Sequence, residues 1–144
     1  MQDRDWDSIK YYNDRIGSCE AEIEGDKASL EVLGEKLKRL EKARKSISSL
    51  KDEAWDNKTE LAFHKSGLDC QLYWTGYHKK QVSKGLGSVY DRYGSYCSDL
   101  DRIEYAMLAE MADLRKSISD LNSEVSWLER IISDCWGWLN QLWS

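Results

Sequence analysis

Proline is absent from this chain. Average composition would supply roughly seven over such a length, so no residue obliges a long helix to stop or kink. Phenylalanine occurs once, whereas tryptophan occurs seven times and tyrosine eight. That balance favours rings with one wet edge, and hence contact surfaces over a deep, dry core. No apolar run approaches the ~20 residues that span a bilayer. Met1-Gln2-Asp3-Arg4-Asp5-Trp6-Asp7 is also the reverse of a basic-then-apolar secretion signal. The expectation is a cytoplasmic chain, whose export, if any, proceeds without a cleaved signal.

Chemistry is equally sparse. Cys19, Cys70, Cys97 and Cys135 have wide, unrelated spacings and read as free thiols. A metal or nucleophilic site would have to be assembled from His64, Asp69, Cys70 and His78, which match no compact ligand pattern. Gly85-Leu86-Gly87-Ser88 lacks the Lys-Ser/Thr of a phosphate loop and reads as a hinge. The net charge of −5, with acids and bases interleaved, leaves no basic footprint for nucleic acid. We therefore expect no enzyme, cofactor or metal, and neither nucleic acid nor a membrane as partner.

What the chain does have is heptads. In a first arm, about 5–50, apolar residues recur at steps of three and four: Ile9, Tyr12, Ile16, Cys19, Ile23, Leu30, Leu33, Leu37, Leu40 and Ile47. Asp26 and Arg44 fall in this seam, and Leu50 stands one position off the rhythm. The acidic start, Asp3, Asp5 and Asp7, suits a helix N-terminus. The basic cluster Lys36, Lys38, Arg39, Lys42, Arg44 and Lys45 suits the negative end of the same helix. A helix of about 45 residues reaches on the order of 65 Å and needs a partner along its length.

A second arm, about 100–143, runs Leu100, Ile103, Met107, Met111, Leu114, Ile118, Leu121, Val125, Leu128, Ile132, Cys135, Leu139 and Leu142. Between the arms, in the middle segment of about 51–99, the pattern weakens. Residues 52–59 read as a loop, with a short helix after them that turns Leu61, Leu68 and Leu72 inward. Trp74-Thr75-Gly76 then makes a corner, because Gly tolerates the left-handed backbone that ends a helix. The economical fold is all-α: one domain over 1–144, an elongated antiparallel helical hairpin or bundle with coiled-coil-like arms around the corner. Near the last residues, Trp136, Trp138 and Trp143 accompany Leu139 and Leu142, more apolar surface than one hairpin end needs. These five are the partner-binding candidates.

The charged heptad arm containing residues 35–47, the central Trp74-Thr75-Gly76 and the long second arm together resemble the YwqH-like family of small helical proteins. Members of that family are similar to the WXG-type substrates and chaperones of the type VII (ESX-like) secretion system of Gram-positive bacteria, and they accompany LXG-type toxins. The resemblance implies a targeting chaperone that lies along the helical N-terminal region of an LXG toxin, often beside a second small helical protein. Trp74 and Gly76 carry over as the family's corner residues. The family's aromatic-x-x-x-acid export signal is missing: Tyr105 is followed at that spacing by Ala109, and Trp127 by Ile131. Two other readings use the same features, a self-associating coiled-coil homo-oligomer and an immunity protein that blocks a toxin.

Overall fold

A computed structural model describes residues 5–69 and 76–143. Among them there is no strand. Helix α1 spans Trp6–Asp69 and helix α2 spans Tyr77–Trp143, and the two pack against each other as an all-α helical hairpin. Trp74, Cys70 and Leu72 lie outside the described residues. Gly76 stands just before α2 with φ of 101°, a backbone region that side-chain-bearing residues rarely adopt.

Asp5 starts α1. Its carboxylate accepts the backbone N–H of Ser8 at 3.1 Å and also the Ser8 hydroxyl, which satisfies a donor of the first turn. The two hydrogen bonds hold the Asp5 carboxyl below its ordinary range. At the other end, the last carbonyl of α1, that of Asp69, accepts the Lys79 ammonium at 3.3 Å. A cation from α2 thus meets the negative end of α1.

Four expectations are corrected here. Residues 52–59 are helical, and so is the glycine stretch 85–88, which forms no hinge. The basic cluster 36–45 consequently lies in mid-helix, far from any dipole terminus, with its Lys and Arg side chains exposed. Ile103, placed inward in the sequence reading, is 43% exposed.

The reason α1 continues is a heptad register that the hydrophobic pattern hides. Counting seven residues from Ile9 gives the a positions Ile16, Ile23, Leu30, Leu37, Arg44, Lys51, Lys58 and Lys65. The d positions run from Tyr12 through Cys19, Asp26, Leu33, Leu40, Ile47, Ala54 and Leu61 to Leu68. All are buried or half-buried except Arg44. The apolar a residues give way to cations, whose long stems still cover apolar surface while their charges reach water. On α2 the register runs without a fault, with a positions from Ser83 to Leu139 and d positions from Leu86 to Leu142, none of them exposed.

The chain divides into two compact units. The first comprises Met1–Arg39 and Ala112–Ser144. In it Ile9 and Ile16 pack with Cys135 and Leu139, under Tyr12, Ile132 and Leu142, while Cys19 and Ile23 pack with Val125 and Leu128. Fully burying one such aliphatic side chain stabilises the fold by roughly 1.5–3 kcal/mol. The second unit is Leu40–Met111. Its core is slimmer, with Ala54, Cys97 and Leu100 packed by Ile47 and Tyr93.

The second unit compensates with polar rungs. Lys51 bonds Asp101 at 2.5 Å with Glu104 at 4.0 Å, and the hydrogen bond that its ammonium donates to Asp101 raises the Lys51 pKa. The Lys58 ammonium lies 4.8 Å from the ring centroids of both Trp55 and Tyr90. Gly94 and Gly87 leave room for these stems: a Cβ on Gly94 would stand 3.4 Å from the Lys58 Nζ, and one on Gly87 3.5 Å from the Lys65 Cε. Lys51 with Asp101, Lys58 with Gly94 and Lys65 with Gly87 step seven residues up α1 and seven down α2, which is antiparallel pairing.

Candidate functional site

The tryptophan-rich end of α2 belongs to the first unit, and the heptad register sorts its residues. Leu139 is an a residue, 2% exposed, and is consumed by the hairpin's own core with Ile9 and Ile16. Leu142, a d residue, packs half-buried against the same cluster. Trp136 and Trp143 fall at e, and Trp138 at g, where rings flank the seam instead of entering it. They are 50%, 46% and 52% exposed. Trp143 meets Trp6 edge to face, with centroids 5.8 Å apart and planes at 85°. Trp127 adds a further ring, 55% exposed, on an outer face of α2. Of the five candidates, then, the three tryptophans present surface and the two leucines hold the hairpin.

Asp26 occupies the d position between Cys19 and Leu33. Its Oδ2 is buried and has no hydrogen-bond partner among the described residues. The Asp26 charge first, then desolvation, a side-chain hydrogen bond with Asp26 and the nearby Glu22 charge, push the Glu124 carboxyl above the usual range. Three acids thus meet at one level of the first unit, Asp26 within the seam and Glu22 and Glu124 exposed at its edge.

Cys19, Cys97 and Cys135 are buried free thiols, and burial pushes the Cys135 thiol up, away from reactivity. His64 lies on α1 within 3.7 Å of Glu60, and His78 sits in the first turn of α2 against Tyr77. Among the described residues no group of His, Cys, Asp and Glu is placed to hold a metal ion, and no helix is long and apolar enough to cross a membrane.

The sequence reading missed one row. Val82, Val89, Tyr96 and Ile103 fall at successive g positions of α2, each between 41% and 43% exposed. Leu50, the residue off the rhythm, is a g residue of α1 and is 43% exposed. The available signal was spacing: four apolar residues exactly one heptad apart, each one position ahead of the seam. Comparison with models of known protein families, with characterised proteins and with solved structures finds no match. The fold and surfaces define a class, a two-helix all-α hairpin with a complete internal seam and apolar side chains left over.

Proposed function

We propose that this chain is a non-enzymatic adaptor, a targeting chaperone that binds the helical N-terminal region of an LXG-type toxin and presents it for type VII secretion, leaving the cytoplasm, where it leaves at all, with its cargo. One observation carries the binding half of the reading. The a and d positions of α2 are filled by the hairpin itself, yet large apolar side chains remain exposed beside them, from Val82 to Trp138. Surface of that kind marks interaction sites. The toxin as partner comes from the resemblance of the charged arm and the Trp74-Thr75-Gly76 corner.

The test is co-expression with the helical region of the LXG toxin encoded beside this chain, followed by size-exclusion chromatography with light scattering. The expected result is a stable co-eluting complex that disappears when the toxin's catalytic end replaces its helical region. Co-elution with the catalytic end instead would establish an immunity protein. A defined homo-oligomer that ignores the toxin would establish a self-assembling coiled coil.

A further inference from the structure

We infer that the g-side of the second unit is the docking groove for one amphipathic α-helix of another chain, a helix with an apolar heptad seam and basic residues along one edge. The inference rests on the adaptor reading and deepens it by assigning the surface and the chemistry of its occupant.

The two sides of this helix pair differ. On the e-side, α1 brings its lysine rungs across Gly87, Gly94 and Asp101, so that side is closed by stems and charges. On the g-side, the edge of α2 is Val82, Val89, Tyr96 and Ile103, and α1 contributes Leu50. A helix whose apolar positions are a and d alone has a seam for one neighbour, as in a two-stranded coiled coil. A helix that adds g to a and d is apolar over the wider stripe of a bundle member that touches two neighbours. Through the second unit α2 has the three-position pattern, but α1 fills only one neighbour's place. At Glu110, Ser117 and Glu124 the g row is polar, which ends the wide stripe of the second unit, and the row turns apolar again only at Ile131 and Trp138.

Spacing identifies the occupant as a helix. The row repeats every seven residues, so its side chains form evenly spaced holes for knobs that themselves recur at three and four. A strand, with period two, or a lipid surface, which takes an all-round or much broader apolar face, has no use for that repeat.

Charge identifies its edge. The α1 rim of the groove carries Glu53 and Glu60, also seven residues apart and both exposed. Glu53 has no cationic partner among the described residues, and Glu60 has only His64, at 3.7 Å. The α2 rim carries Gly85, Arg92, Asp99 and Ala106, with Asp99 held by Arg102 at 2.7 Å. The acidic α1 row is therefore met by Lys or Arg at heptad spacing on one edge of a docked helix, while Arg92, exposed on the α2 rim, is met by a single acid on its other edge.

The experiment uses the full chain and the helical N-terminal region of the neighbouring toxin as probe. Val89→Lys with Tyr96→Lys places charge on residues that are already exposed, and Glu53→Lys with Glu60→Lys reverses the rim. Ser88→Lys with Ser95→Lys, on the outer face of α2, is the control, and thermal melts verify that every variant folds. The expected result is at least tenfold weaker binding for the first two pairs and wild-type binding for the control. Wild-type binding by the groove variants overturns the groove and leaves the adaptor reading standing. Absence of binding by the unaltered chain defeats the adaptor reading and the groove with it. Should the unaltered chain instead self-associate, with the Val89 and Tyr96 variant monomeric, the groove belongs to a second copy and the foreign helix is overturned.

Discussion

Asp26 places a carboxylate where the register asks for an apolar side chain, and its Oδ2 is buried without a partner. An unsatisfied buried polar group costs about 1–3 kcal/mol. Asp26→Leu is therefore expected to stabilise the protein by about that amount, read as a higher urea midpoint with an unchanged slope. The pH dependence follows from the neighbour. Glu124 titrates above its ordinary range, so folding takes up protons there. Its contribution is full below the ordinary glutamate range and is lost as pH rises through the raised titration. Asp5 has the opposite sign, since its carboxyl is held low: its contribution is full above the ordinary aspartate range and is lost as pH falls. Because Asp26 is the largest cause of the Glu124 shift, the Asp26→Leu variant should gain least at acid pH and most at neutral pH. A gain that does not vary with pH would show that the Glu124 carboxyl does not feel Asp26.

At the scale of the element, the seams were legible and the continuity of α1 was not. From Met107 to Leu142 every residue that the spacing turns inward is buried or half-buried, because nothing polar interrupts the count. In α1 the count passes through Arg44, Lys51, Lys58 and Lys65, and a hydrophobic pattern cannot register a lysine that packs by its stem. The glycines misled for a related reason. Intrinsic propensity reads Gly85 and Gly87 as weak points, but helix packing overrides propensity, and Gly87 and Gly94 are where α2 accommodates lysine stems. The tryptophans were legible as surplus surface, while the division between Leu139 inside and Trp138 outside needed the register. Gly94→Ala tests the packing account. The added methyl meets only the mobile end of Lys58, so the helix-interior gain of about 0.5–1 kcal/mol should appear as a higher melting temperature. Gly76→Ala should do the reverse, since its φ of 101° strains any side-chain-bearing residue. A destabilised Gly94→Ala would mean that the Lys58 stem has no room to yield.

For the whole molecule, folding and binding draw on different residues of the same turns of α2, and that separation can be measured. Leu139 is 2% exposed inside the cluster of Ile9, Ile16 and Cys135, whereas Trp136 and Trp138, one turn or less away, are half exposed. Leu139→Ala removes buried methyl groups and leaves a cavity, at a cost of about 2–5 kcal/mol, a large fraction of the roughly 5–15 kcal/mol that holds a typical domain. Truncation after Ile132 should be at least as damaging, because it removes Cys135, Leu139 and Leu142 together. Trp136→Ala with Trp138→Ala removes rings that flank the core, and about 1 kcal/mol or less of stability should go with them. If the adaptor reading holds, the tryptophan pair should nonetheless weaken partner binding by tenfold or more, since exposed Trp side chains are the usual anchors of an interface. Melting and binding measured side by side on the two variants decide the matter. A folded, binding-deficient tryptophan variant beside an unstable Leu139 variant would divide the helix into a face that builds the hairpin and faces that recruit. Loss of stability by the tryptophan pair equal to that of Leu139→Ala would instead return those rings to the hairpin and leave the second unit's apolar row as the surface available to a partner.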